Sequence, residues 1–177
     1  METLPDYIAS DLRLLSIGLN PSPPSVAAGY YFAGKQNRFW KALNASGLIQ
    51  SPVTPSLAGM QVLFERDRIG FTDTVKRPTP GVSGLRKADF RRDLPQLREL
   101  ILQYQPKVAW FHGKVAWRHY REIIDGVRDE TMPWGLQADT IGATRVFVSP
   151  NPSPANAVYS LDDLIGWYRT LADLIAE

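Results

Sequence analysis

Apolar positions along the chain fall into short runs punctuated by proline and glycine, and the period of the runs alternates between strand-like and helix-like. Leu14, Leu15, Ile17 and Leu19 predict a buried strand over about residues 12–19. The run breaks at Gly18-Leu19-Asn20-Pro21-Ser22-Pro23-Pro24, where the prolines read as forbidding further helix or central strand. Asn37-Arg38-Phe39-Trp40-Lys41 reads as the start of a helix over about 37–47, closed by Gly47. A short helix near 57–65 and a strand or extended segment at Ile69–Asp73 follow. Residues 76–84, carrying Pro78, Pro80, Gly81 and Gly84, read as a long irregular loop of the kind that often carries function. Phe90, Leu94, Leu97, Ile101 and Tyr104 recur at helical spacing and predict a helix over about 87–104 that Pro106 closes. A third strand is expected at 107–111 and a helix at about 113–124. Gly126–Gly142 reads as irregular, with a turn at Met132–Gly135, before a last strand at Arg145–Ser149 and an amphipathic helix at 160–176. Residues 1–11 read as a polar lead-in or a short helix.

Strands alternating with helices imply parallel strands covered on both faces. The expected fold is α/β in three layers, a mostly parallel twisted sheet of four to five strands flanked by helices. The whole chain, 1–177, reads as one domain large enough to bury a real core. In such sheets ligands bind beyond the carboxyl ends of the strands. Within that arrangement one short repeat stands out. Asn-Pro-Ser-Pro occurs at Asn20–Pro23 and again at Asn151–Pro154, each copy directly after an apolar strand, so both Asn side chains can face one cleft. Asn-Pro is also good turn chemistry, but two copies at equivalent strand ends point to function.

Composition narrows the class further. No apolar run approaches the 18 or so residues of a membrane-spanning helix. The first residues lack the basic-then-apolar pattern of a signal peptide. The absence of Cys excludes disulfides and thiolate chemistry and fits a cytoplasmic protein. A net charge of +2 does not by itself announce a nucleic-acid partner. Basic residues nevertheless cluster at Lys35, Arg38 and Lys41, at Lys76-Arg77, and at Arg86, Lys87, Arg91 and Arg92. They read either as a phosphate-holding rim beside the cleft or as solvated helix faces.

Asn is no strong base, but its amide oxygen can hold a water while its nitrogen donates. That suits a reaction whose difficulty lies in the leaving group, such as cleavage of an N-glycosidic bond, where fixed donors stabilise the departing base. Tyr30 or Phe32 offers a flat surface on which a base can stack, although packing in the core accounts for at least one of Tyr30, Tyr31 and Phe32. His112 and His119 lack partners at metal-ligand spacing, so no metal site is indicated. Phosphate-loop, dinucleotide-binding and Gly-x-Ser-x-Gly patterns are absent.

Ile17-Gly18-Leu19-Asn20-Pro21, Gly29-Tyr30-Tyr31-Phe32-Ala33 and Asn37-Arg38-Phe39-Trp40-Lys41 together resemble the first motif region of mismatch-specific uracil-DNA glycosylases. These are the bacterial relatives of thymine-DNA glycosylase. The resemblance continues through Gly70–Asp73, Lys76–Thr79, Gln105-Pro106, Gly113-Lys114 and Pro150–Ser153, covering roughly residues 12 to 170 in order. It implies that Asn20 positions the attacking water and that Phe32 stacks on the flipped base. Leu19, Ser22 and Ser25 would line the base pocket, and Asn151 would sit beside sugar and base. The 151–157 loop would push into the duplex, its Ser153, Pro154, Ala155, Asn156 and Ala157 meeting DNA, with Lys76, Arg38 and Ser153 contacting phosphates. It further implies uracil-containing DNA as partner, a monomer, and no metal or organic cofactor. A non-catalytic nucleic-acid-binding module and a free-nucleoside hydrolase are the competing readings; the presence of Asn20 opposes the first and the basic rim the second.

This chain departs from the family pattern at three places. Ser22 replaces the usual Gly, which narrows the pocket floor. Pro154–Ala157 are small where the family carries a larger wedge, so reading of the opposite base should be weak. Asp93 replaces one of a Gly pair and reads as either a second catalytic group or a carboxylate at a helix start. Asp73 reads as a weaker catalytic candidate, better suited to fixing a loop beside Lys76 and Arg77.

Overall fold

In the computed structural model, which describes residues 2–176, five strands form one sheet. Strand β1 is Leu14–Gly18, β2 Ile69–Asp73, β3 Val108–His112, β4 Gly135–Ile141 and β5 Thr144–Ser149, in the order β2-β1-β3-β5-β4. The three pairings from β2 to β5 are parallel, and β4 runs antiparallel to β5 at the edge. Helices α1 (Pro23–Ala28), α2 (Phe39–Ser46), α3 (Leu57–Glu65), α4 (Lys87–Tyr104), α5 (Lys114–Asp125) and α6 (Leu161–Ile175) complete the chain, with a 3-10 turn at Val82–Gly84.

Every residue of β1, β2 and β3 is buried, so each strand must be apolar on both faces. Successive side chains point to opposite faces and therefore feed two separate cores. Leu14, Phe71, Trp110 and Phe147 pack with Phe39 and Leu43 of α2 and Leu164 and Tyr168 of α6. Leu15, Ile17, Ala109, Phe111 and Val146 pack with Phe90, Leu94, Leu97 and Ile101 of α4 and Trp117 and Tyr120 of α5. These two cores make the expected three layers. Among the described residues no helix is long and apolar enough to cross a membrane.

Three elements depart from expectation. Residues 23–28 form α1 although two prolines open it. Proline fits the first turn of a helix, where its missing N–H would have had no partner. Ser22 caps the turn by accepting from Ser25 N–H, and Gly29 closes it with φ +82°. The stretch expected to be irregular contains β4. Its Gln137, Asp139 and Thr140 gave no apolar run because an edge strand buries only part of one face. Of the two readings of the N-terminal stretch the helix is not met over residues 2–11, where Tyr7 instead bridges antiparallel to Phe71 at the β2 edge.

Connections from β1 lead to one side of the sheet, to β2, and those from β2 return across β1 to β3. The direction of winding thus reverses between β1 and β3, where an open α/β sheet leaves a crevice at its carboxyl edge.

Candidate active site

A cavity of about 470 Å³ opens at that crevice. Its floor is one row across the sheet. Asp73 pairs in register with Gly18, and His112 with Ser149, all at the ends of their strands. Gly18 is required there because a Cβ at that position would lie 2.4 Å from Asp73 Oδ1 and 3.8 Å from Phe32 Cζ. The missing side chain lets a carboxylate and an aromatic ring converge over β1.

Phe32 adopts a left-handed backbone, φ +58°, which a bulky residue holds only when its surroundings impose it. Phe39 stacks on its ring at 4.3 Å and 21°, and His112 meets it edge-on at 5.1 Å. Phe39 thus covers one face of the ring, while Phe32 itself lines the cavity. Ser25 supports this segment from below: its Oγ accepts from Ala33 N–H at 3.1 Å and from Ser22 Oγ at 3.0 Å.

Asn20 Nδ2 donates to Arg77 O at 2.9 Å and to Thr79 Oγ1 at 2.7 Å. Thr79 Oγ1 spends its own proton on Gly81 O, so it must accept from Asn20. Both amide protons of Asn20 are therefore used, and its Oδ1 is left as an acceptor on the cavity. The second copy of the tetrapeptide does the opposite. Asn151 Oδ1 accepts from Ser153 N–H at 2.9 Å, which leaves Nδ2 as its free pole. One sequence motif thus presents an acceptor at β1 and a donor at β5.

Asp73 is the only carboxylate lining the cavity among the described residues, and its oxygens make no hydrogen bond to them. Burial pushes its pKa up to about 7, partly offset by Lys76 and reinforced by Asp6. His112 is buried and bonded through Nε2 to Ser16 Oγ at 2.8 Å. Desolvation lowers it to about 3, so it lines the cavity as neutral imidazole.

Of the residues singled out in the sequence, Leu19, Asn20, Ser22, Ser25, Phe32, Asn151, Ser153, Ala155 and Asn156 line this cavity. Others do not, and their roles change. Asp93 lies outside it: Oδ2 accepts from Lys76 N–H at 2.9 Å and Oδ1 from Arg92 Nε at 2.9 Å, making it the loop-fixing carboxylate. Of the two acids it is thus Asp73 that faces the cavity and Asp93 that holds the loop at Lys76. Arg38 is no free phosphate ligand, since its guanidinium donates to the carbonyls of Pro152, Ser153, Asn156 and Tyr159. It clamps the loop after β5 from the start of α2. Lys76 Nζ is held by Asp6 Oδ1 at 2.7 Å and Thr72 Oγ1 at 2.8 Å. Tyr30 packs edge-on against Trp40, and its neighbour Tyr31 lines the cavity instead. Pro154 and Ala157 point away to solvent. The rim carries Val158, 81% exposed, a larger apolar tip than any residue of 154–157. Thr79 and Tyr31 stand within motif stretches of the sequence that assign them no place at the site. The signal for Thr79 is its position in the proline-rich loop and at the end of the Lys76–Thr79 motif.

A polar-ended cleft with aromatic residues in its walls, at the carboxyl edge of a mostly parallel sheet, defines an α/β protein with a ligand-sized cavity at the usual binding edge. No group of three or more metal-ligating side chains occurs among the described residues. The particular family follows from comparison: the model of the uracil DNA glycosylase superfamily matches residues 5–172, and the chain belongs to that superfamily. Its chemistry is thereby that of a DNA glycosylase in general. The solution NMR structure of a candidate uracil DNA glycosylase from Methanosarcina acetivorans shares the fold. It superposes with a TM-score of 0.67 over 99% of this chain and 98% of that one, at 19% identity.

Proposed function

We propose that this protein extrudes uracil, and related pyrimidines, from DNA and hydrolyses the N-glycosidic bond, leaving an abasic site for base-excision repair. The observation that carries the reading is Asn20, whose donors are both tied down so that only an acceptor faces the cavity. A water held by that oxygen attacks C1′ of the deoxyribose. Its oxygen bonds to C1′ as the C1′–N1 bond breaks, the electron pair of that bond leaves with the base as its anion, and the proton lost by the water passes to solvent, from which the freed base anion is reprotonated.

The base stacks against Phe32 and places its N–H and adjacent carbonyl toward Asp73. As a neutral acid, Asp73 both accepts from the N–H and donates to the carbonyl, and the donor bond strengthens as the base becomes an anion. As a carboxylate it would repel that anion. Asn151 Nδ2 supplies a further donor, and Val158 fills space that the extruded base vacates.

Single-turnover cleavage of uracil-containing DNA at saturating enzyme tests the reading. Asn20→Ala should reduce the rate by about 100-fold or more, the usual loss for one fixed polar group of a transition state. DNA bound but left intact by the wild type would replace this reading with a non-catalytic binding module. Turnover of deoxyuridine in preference to DNA would replace it with a nucleoside hydrolase.

A further inference from the structure

Asn20 can hold a water only if its amide stays in one orientation, and that orientation is set by a loop from a distant part of the chain. Its two amide protons end on Arg77 O and Thr79 Oγ1, within the Lys76–Arg86 segment. That segment belongs to no strand or α-helix, and Pro80–Gly84 are exposed. A surface loop of this kind is mobile unless fastened at its ends.

We propose that Asp89 and Asp93 of α4 are positioning residues that fasten this loop and thereby orient the Asn20 amide; the inference rests on the role given above to Asn20. Four-residue spacing puts both carboxylates on one face of α4, and both are buried, 5% and 6% exposed. Asp93 Oδ2 takes the Lys76 N–H at 2.9 Å, at the start of the loop. Asp89 takes Arg77 Nε at 3.0 Å and Nη2 at 2.7 Å. It also takes the Arg86 N–H at 2.9 Å, at the loop's end. Arg77 Nη2 reaches on to Gly84 O at 2.6 Å, which closes the loop on itself.

The anchors remain charged across the neutral range. Hydrogen bonding from Arg77 holds the Asp89 carboxyl well below the usual carboxylate range. Burial alone would raise Asp93, but bonds from Arg92 and the Lys76 N–H outweigh it and lower the group. Neither carboxylate lines the cavity, so each acts on the reaction only through the loop. The backbone of the same loop continues this control. Thr79 N–H within it bonds to Pro21 O, and Thr74 and Val75 N–H just before it bond to Gly18 and Leu19 carbonyls, laying the loop along the segment that bears Asn20.

A double-mutant cycle tests the link. Single-turnover rates at saturating enzyme are measured for the wild type, Asp89→Asn, Asn20→Ala and the double variant. Misplacing a catalytic group by a fraction of an ångström predicts about a tenfold loss for Asp89→Asn in the wild-type background. In the Asn20→Ala background the loss should shrink to less than about twofold, because the residue being positioned is gone. Equal losses in both backgrounds overturn the proposal and make Asp89 a general folding residue. Glu99→Gln, on the solvent side of the same helix, serves as control. A second readout needs no activity: hydrogen exchange of the Asn20 side-chain amide, assigned by its loss in Asn20→Ala. Exchange should be slow in the wild type and faster in both Asp89→Asn and Asp93→Ala. Unchanged exchange refutes the proposal even if the wild type proves inactive on uracil-containing DNA, an outcome that would count against the proposed function alone.

Discussion

Raising the pH from 5.5 to 8.5 should switch the enzyme off through one buried carboxyl. Asp73 is buried at the cavity floor, makes no hydrogen bond to the described residues, and carries a pKa of about 7 because burial penalises its charged form. The neutral acid then falls from roughly 97% to roughly 3% of molecules across that interval, a loss of about 30-fold in the form that donates to the base. Global stability should not imitate the effect. Asp73 holds a proton in the folded state that the unfolded chain releases, so its contribution is complete below its ordinary value of 3.8 and is lost as pH rises to about 7. His112, lowered to about 3, does the reverse: its contribution is complete above its ordinary 6.5 and is lost as pH falls toward 3. Between about pH 4 and 6.5 the two slopes oppose each other, and thermal melting should change little from these groups. The assay is the single-turnover rate at saturating enzyme over this pH range, for wild type and Asp73→Asn. Asparagine keeps one donor and one acceptor without a titration, so the variant should remain active and lose the fall above pH 7. A wild-type rate that rises through pH 7, with Asp73→Asn inactive, would refute the argument and make Asp73 a working carboxylate.

Two further outcomes follow from how the cavity walls are built. Arg38→Met removes a clamp on four carbonyls, so DNA affinity should weaken about tenfold while the single-turnover rate at saturation stays within about threefold. Because Arg38 is spent inside the protein, the slope of log affinity against log salt should not change; a slope smaller by about one would restore Arg38 as a phosphate contact. Gly18→Ala drives a methyl into Asp73 Oδ1, and overpacking of this kind should destabilise the fold by about 1–3 kcal/mol in thermal unfolding. Asp73→Ala in the same chain should recover most of that loss, and a Gly18→Ala protein as stable and active as wild type would show that the row is not tightly packed.

Much of the scaffold was legible in the sequence because its signals are local. An apolar run breaking at Asn-Pro marks a strand end whatever lies beside it, and Phe90, Leu94, Leu97 and Ile101 mark the buried side of a helix by spacing alone. Asn20, Phe32 and Asn151 could be placed near a cleft for the same reason. The elements that were missed had local signals with two meanings. Pro23-Pro24 can end structure or begin a helix, and the polar face of β4 hid a strand that pairs with β5 at the sheet edge. The chemistry of the acids lay wholly outside local pattern. Asp73 and Asp93 are the same residue type, 20 positions apart, each near basic neighbours. Sequence alone could not decide which one faces the cavity. That was decided by the pairing of β2 with β1, which sets Asp73 against a residue without a side chain, and by the packing of α4, which turns Asp93 onto the Lys76 N–H. Arg38 likewise became a clamp only when the loop after β5, more than a hundred residues away, folded over it. Periodicity follows from how a residue sits in its own helix or strand, whereas the role of a charged group depends on which distant neighbours strip away its water and bond to it.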